Sequence, residues 1–418
     1  MQPEVCGCKL SIHMMQTNPD AGMNRHIGKR ISRRELLQGS FATGGGLMLA
    51  FGKATWLKSS QLGVKDPFDG GNQLGVVDFS QEALAPMGTA IGDGLDGRLY
   101  TDLSQLTSQT AITATEQFYI RTRASTLLKD QETWLVRLSG LESKPIEVSL
   151  AELKKTVQSM GVHLMECAGN ARSVHFGLMS AAEWSGVPLV ELLESVKFKP
   201  QSTRVLVSGF DTYPTKSITS QPGASWVFTW DELRSAGAFL ATEMNGKPLT
   251  KDHGAPVRLL VPGWYGCACI KWVNEITLVE DAVEATSQMQ EFAGRTQQQG
   301  VPKLVRDYKP ARIEQAAMPT RIEKWLLGER IAYRVVGILW GGSGPANTLQ
   351  IRFNPEEDYV PVVNIQQKVN DPWSLWTHTW IPKQPGKYLI RLRIKDPGTA
   401  ATRLNAGYYM RSVEITEV

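Results

Sequence analysis

Two regimes of hydrophobic spacing divide the chain. Between about Leu99 and Ala282, apolar runs of strand character alternate with amphipathic stretches. "TWLVRLSGL", "GVHLMEC", "TRVLVSGF", "APVRLLVPG" and "KWVNEITLVE" predict strands. "SLAELKKTVQSM" and "VPLVELLESV" repeat their apolar positions at three and four residues and predict helices. This α+β pattern holds no G-x-G-x-x-G, so it offers no dinucleotide site. Past the polar stretch "GRTQQQGVPK" the helical period vanishes. "ERIAYRVVGILWGG", "TLQIRFN", "VPVVNIQQ", "LWTHTWIP", "GKYLIRLRIKD" and "YYMRSVEITEV" follow, separated by Gly, Pro and Asn turns. Short strands at that spacing predict an immunoglobulin-like β-sandwich without a cysteine pair. Residues 61–95, rich in Gly, Asp and Pro, predict an irregular arm. A chain of 418 residues suits two such domains.

Charge changes the picture only at the start. Seven of the 45 basic and three of the 41 acidic residues precede Thr55, leaving 38 of each sign in the rest. A neutral body has no basic footprint for phosphate backbones, so a nucleic-acid partner is not expected. The early cluster reads differently. Arg33-Arg34 follow a serine, Leu36-Leu37 come next, and the apolar run Phe41 to Phe51 is diluted by Gly44-Gly45-Gly46. That run is too short and glycine-rich to span a bilayer as a helix. It reads as a twin-arginine export leader over residues 1–54, implying a periplasmic destination reached in the folded state. Such export suits a protein loaded with its cofactor in the cytoplasm.

Removal of that leader takes Cys6 and Cys8 with it, leaving Cys167, Cys267 and Cys269. Three thiols cannot all pair, and Cys267 lies too close to Cys269 for an unstrained bridge. No C-x-x-C-H is present to attach a haem, and no C-x-x-C pair suits an iron–sulfur cluster or structural zinc. Cys167 ends the predicted strand in "HLMECAGNARSVHF", followed by small residues and then Arg172. A buried structural thiol is its plainest reading. Nucleophilic use lacks a nearby base, because His163 lies two strand pairs away. Metal ligation is the third reading, since Arg172 and small neighbours favour a thiolate with room beside it.

Several segments in one order change that balance. "HLMECAGNARS" with "AAEWSGVPLVELL", and "LATEMNGKPLTKDHGAPVRLLVPGWYGCACIKWVNEI", resemble the sulfite oxidase family of molybdopterin-dependent oxidoreductases, in its exported bacterial branch without a haem domain. "EQFYIRTR" is similar to the family's F-V-R-N-H segment, and "VSGFDTYPTKSITSQPGASW" to its G-L-D…G-A-S segment. "VVGILWGGSG" and "WSLWTHTW" resemble its dimerisation domain. The resemblance runs from about residue 96 to the C-terminus.

The resemblance implies a sulfite-oxidase-like α+β molybdopterin-binding domain over 96–292, behind an arm at 55–95. An immunoglobulin-like dimerisation domain over 293–418 follows, and a homodimer is expected through it. Cys167 becomes the protein thiolate on molybdenum, a role a soft, deprotonated sulfur suits. Molybdopterin carries a phosphate and a polar pterin, and its contacts map to Tyr119, Ile120, Arg121, Thr122, Arg123, Asp211, His253, Arg258, Cys269, Ile270 and Lys271. Thr122 and Arg123 stand where the family motif has asparagine and histidine. Around the substrate, the resemblance places Arg121, Arg172, Trp184 and Tyr308, with Arg403 or Arg411 completing the pocket. Guanidinium forks match a compact oxyanion better than an ammonium does. The implied activity is oxidation of sulfite, or a related sulfur oxyanion, by oxygen-atom transfer. With no haem expected in this chain, electrons pass to a separate acceptor such as a c-type cytochrome. A reductase of sulfoxides or similar oxides at the same centre, and an exported non-catalytic binding protein, are the alternatives.

Overall fold

Ser149 opens the first helix with a reciprocal cap: its hydroxyl accepts from the Glu152 N–H at 3.2 Å, while Glu152 accepts from the Ser149 N–H at 2.8 Å. The helix is nevertheless only Leu150–Lys154. A longer helix was expected to run to Met160, but Gln158 already begins the strand Gln158–Glu166. Leu150 and Leu153 spend the helix's apolar face on the core, and the remainder is claimed by cross-strand pairing, which overrides weak helix propensity. In this computed structural model the described residues are 66–80, 82, 97–122, 132–140, 144–195, 204–210, 224–342, 346, 348–366 and 372–418. The expected leader, Arg123 and Asp211 lie outside them.

Two five-stranded sheets carry the first regime. One is ordered Ser225–Thr229, Arg204–Gly209, Val273–Val279, Leu135–Ser139, Ile146–Ser149. The other runs Lys247–Pro248, Phe239–Met244, Met179–Pro188, Gln158–Glu166, with Arg258–Leu260 also on Phe239–Met244. Met179–Pro188 escapes the sequence pattern because it is buried on both faces for most of its length, so no alternation marks it. Among the described residues the α-helices are short, none longer than seven residues, so the expected α+β character leans strongly towards sheet. No helix there is long and apolar enough to cross a membrane.

The second regime is built as expected from strands, in two further five-stranded sheets. Ala316–Leu327, Arg330–Trp340 and Trp373–Trp380 pair antiparallel in one; Leu349–Arg352, Gly386–Ile394 and Arg411–Ile415 do so in the other. The sheets meet where Trp380 stacks on Phe353 at 4.2 Å and meets Tyr388 edge-on at 4.9 Å. The expected irregular arm is corrected here. Asn72–Val77 adds to the edge of Ala316–Leu327, and Phe79–Ser80 pairs with Arg411–Ile415, so the arm supplies outer strands to both sheets. Among the described residues most buried apolar side chains form one continuous cluster from Tyr100 to Ile415, with Trp272 in a small second one.

Candidate active site

Cys167 is the first residue beyond the strand Gln158–Glu166, whose last pair is Glu166 with Met179. Its N–H donates to the Leu178 carbonyl at 2.9 Å, and its carbonyl accepts from the Asn170 N–H at 2.9 Å. The chain therefore turns back sharply, and the Gly169 N–H comes to 3.4 Å from Cys167 Sγ. Cys167 is buried, as are Cys267 and Cys269. Burial, first of all, pushes the Cys267 and Cys269 thiols up. Cys269 Sγ also accepts from the Val261 N–H at 3.4 Å, as a packing residue would.

Distant segments close on this turn. Arg403, on the short helix Thr402–Asn405, donates from Nη2 to the Ala168 carbonyl at 3.2 Å and to the Arg295 carbonyl. Tyr408 donates its hydroxyl to the Asn170 carbonyl at 2.7 Å. The Arg403 guanidinium lies 5.0 Å from the Tyr265 ring and 5.3 Å from that of Tyr408. Of the two arginines left open by the sequence, Arg403 is the one that contacts the turn after Cys167. Arg411 instead ion-pairs with buried Glu82 and donates to the Pro319 carbonyl at 3.2 Å. Arg172 donates to the Met410 carbonyl at 2.5 Å, and its charge faces Arg411. Tyr308 is nearly buried, and burial raises its hydroxyl's pKa.

Glu166, the residue before Cys167, is fully buried. Trp340 Nε1 donates to it at 2.8 Å and Asn170 Nδ2 at 3.4 Å. Burial raises its carboxyl's pKa, opposed by those hydrogen bonds and by Arg403. Its backbone carbonyl accepts from the Gly266 N–H at 2.7 Å. A Cβ at Gly266 would lie 2.8 Å from Tyr119 Oη, so a bare backbone is what lets this loop reach the strand end. Burial, then the facing Cys167, hold the Tyr119 hydroxyl protonated.

A second group of predicted residues lies behind this turn. Buried Arg258 donates from Nη1 to the His253 carbonyl at 2.9 Å and from Nη2 to the Cys269 carbonyl at 3.3 Å. Its guanidinium sits 5.6 Å from the ring of Trp184, a fully buried residue on the strand Met179–Pro188. Lys271 donates to the Asp252 carbonyl at 2.5 Å and the Arg121 carbonyl at 3.3 Å. His253 places Nε2 3.2 Å from the Phe118 carbonyl and Nδ1 2.7 Å from Thr250 Oγ1. A carbonyl only accepts, so Nε2 carries the proton and Nδ1 accepts from threonine. That neutral tautomer agrees with a pKa lowered to about 4, by burial first and then by Lys271. Ile120 and Thr122 flank Arg121 on the short strand paired with Gly97–Leu99, and Ile270 is buried beside Cys269.

The donor set fits molybdopterin. Arg258 Nε, Tyr308 Oη and Arg403 Nη1 are shielded from solvent and have no hydrogen-bond partner among the described residues. Buried donors left unmatched are costly, so each of the three is suited to a polar ligand atom. Residue patterns passed over Glu166, Gly266, Arg295 and Tyr408. Glu166 was visible beside Cys167, whereas Arg295 lies in a loop remarkable from sequence only for its length.

The chain is similar to several known proteins. Residues 124–287 match the oxidoreductase molybdopterin binding domain family. The mitochondrial sulfite oxidase of Macaca fascicularis is 26% identical over 260 residues, covering 58% of this chain and 47% of that protein. The NADPH nitrate reductase of Fusarium oxysporum is 29% identical over 195 residues, covering 43% of this chain and 21% of that one. The chain thus spans half or less of these relatives. The sulfane dehydrogenase SoxCD from Paracoccus pantotrophus shares the fold, with a TM-score of 0.58 and 16% identity over 88% of this chain and 96% of that one.

Proposed function

We propose that this chain, a member of the sulfite oxidase family through its molybdopterin-binding domain, oxidises sulfite or a related sulfur oxyanion to sulfate. The observation that carries the reading is that Arg403 closes on Ala168, the residue after Cys167, in the glycine turn that presents the sulfur. Molybdenum–molybdopterin, bound once per chain, would supply the two-electron oxygen-atom transfer. Cys167 would hold the metal through its sulfur. Arg258, His253, Lys271 and the backbone from Tyr119 to Thr122 would hold the pterin and phosphate, joined by Arg123 and Asp211. Burial of Trp184, Phe118 and Tyr119 around Arg258 excludes water from that pocket and strengthens each polar contact inside it. Arg121, Arg403 and the Tyr308 hydroxyl would orient the oxyanion, while Arg172 acts one step back by holding Met410.

The electrons would leave to a separate acceptor such as a c-type cytochrome. The C-terminal sheets would form the immunoglobulin-like sandwich over 293–418, pairing two copies, after the catalytic domain at 96–292 and arm at 55–95. Residues 1–54 would direct export to the periplasm. Nitrate reductases among the relatives favour one further reading, reduction of an oxide at the same centre.

Metal and pterin analysis of purified protein tests the proposal, with assays for sulfite oxidation using an artificial acceptor and for nitrate or sulfoxide reduction using a reduced dye. One molybdenum per chain and sulfite turnover are expected. Cys167→Ser should lose both and keep its melting temperature within a few degrees. Full turnover by that variant would remove Cys167 from the metal, and oxide reduction without sulfite oxidation would reverse the assigned direction.

A further inference from the structure

Arg295 lies outside every family motif in the sequence, in the loop after the helix Ser287–Phe292. Its side chain is exposed, yet it is held on several sides. The guanidinium lies 5.3 Å from the Phe292 ring, and its backbone carbonyl accepts from Arg403. A Cβ added to Gly169 would meet Arg295 Nη1 at 3.4 Å and Cys167 Sγ at 3.8 Å. The guanidinium and the sulfur thus both border the space beside Gly169. Half-buried Glu291 lies within electrostatic reach of both Arg295 and Arg121. Tyr408, 39% exposed, faces Arg403, Arg295 and Cys167 at once.

An exposed arginine is usually a solvated charge. Here its backbone is tied to a pocket arginine and its head group overlies the turn that presents Cys167. We infer that Arg295 is a specificity-determining residue of this site, the outer group that captures a small sulfur oxyanion from solvent and holds it beside Cys167. The inference rests on the proposed function for the identity of the anion. A planar fork offers two parallel donors to adjacent oxygens of sulfite or sulfate, which a neutral organic oxide lacks. Arg403 fixes the inner side of the anion, and Arg295 closes the outer side.

Arg295→Gln and Arg295→Lys, purified with molybdenum and pterin quantified, provide the test. Sulfate binding measured by titration calorimetry needs no turnover and reads the anion site directly. Loss of one charge-assisted fork should weaken sulfate binding roughly ten- to a hundredfold in Arg295→Gln, with the sulfite KM rising alike. The kcat and molybdenum content should stay close to wild type, and Arg295→Lys should recover part of the loss. Sulfate affinity within twofold of wild type in Arg295→Gln overturns the inference. Were the wild type to bind no sulfate at all, the anion site itself would be refuted. Were it to bind sulfate without oxidising sulfite, the proposed function would fail while the calorimetric comparison still judged Arg295.

Discussion

Trp340 donates its indole N–H to Glu166 at 2.8 Å, joining a strand of the C-terminal sheet to the residue before Cys167. Both are buried, so the bond is made in a medium where an unmatched carboxylate is expensive. The C-terminal region is therefore part of the site's scaffold. Its grip extends along the turn through Arg403 on Ala168 and Tyr408 on Asn170.

Trp340→Phe keeps an aromatic ring but removes the donor and part of the indole's volume. It should cost about 1–3 kcal/mol in urea unfolding, with an unchanged m-value. A loss below about 0.5 kcal/mol, smaller than a typical net hydrogen bond, would show that Glu166 does not depend on this indole.

Gly266→Ala should destabilise by roughly 1–3 kcal/mol, because the new methyl would meet Tyr119 Oη at 2.8 Å and the Glu166 carbonyl at 3.3 Å. Tyr119→Phe in the same chain removes the nearer atom. A double-mutant cycle should then recover at least about 1 kcal/mol of coupling, and strict additivity would deny the clash.

His253 ties stability to pH. Its folded pKa is about 4 against an ordinary 6.5, so the unfolded chain takes up the proton first on acidification. The stabilisation is complete above pH 6.5 and is lost as pH falls towards 4, by up to about 3 kcal/mol. Denaturant titrations at several pH values should show His253→Gln with a shallower slope than wild type across that window. Parallel curves would assign the dependence elsewhere.

Export gives a prediction from the sequence alone. On the proposed reading of residues 1–54 as a twin-arginine leader, Arg33→Lys with Arg34→Lys should leave the protein in the cytoplasm. Unchanged periplasmic yield on fractionation would rule out that route.

Local pattern determined a good deal. Alternation marked Arg330–Trp340 and Gly386–Ile394 as strands, and Cys167 was placed at a strand's end because the apolar run "GVHLME" stops there. Those features depend on neighbours along the chain, where the period of hydrophobic burial is written directly. Strands buried on both faces for most of their length, such as Met179–Pro188, were invisible, since such burial erases the period. The composition of the site was a matter for tertiary structure. Arg403 and Arg411 have the same side chain eight positions apart, yet one sits on a helix against Ala168 and the other on a strand against Glu82. Arg295 carries no local mark of its place over Gly169, because that contact depends on where a loop closes after the sheets have packed. Sequence thus determined the thiol and the elements that present it, while packing between distant segments decided which cations and which carboxylate surround it.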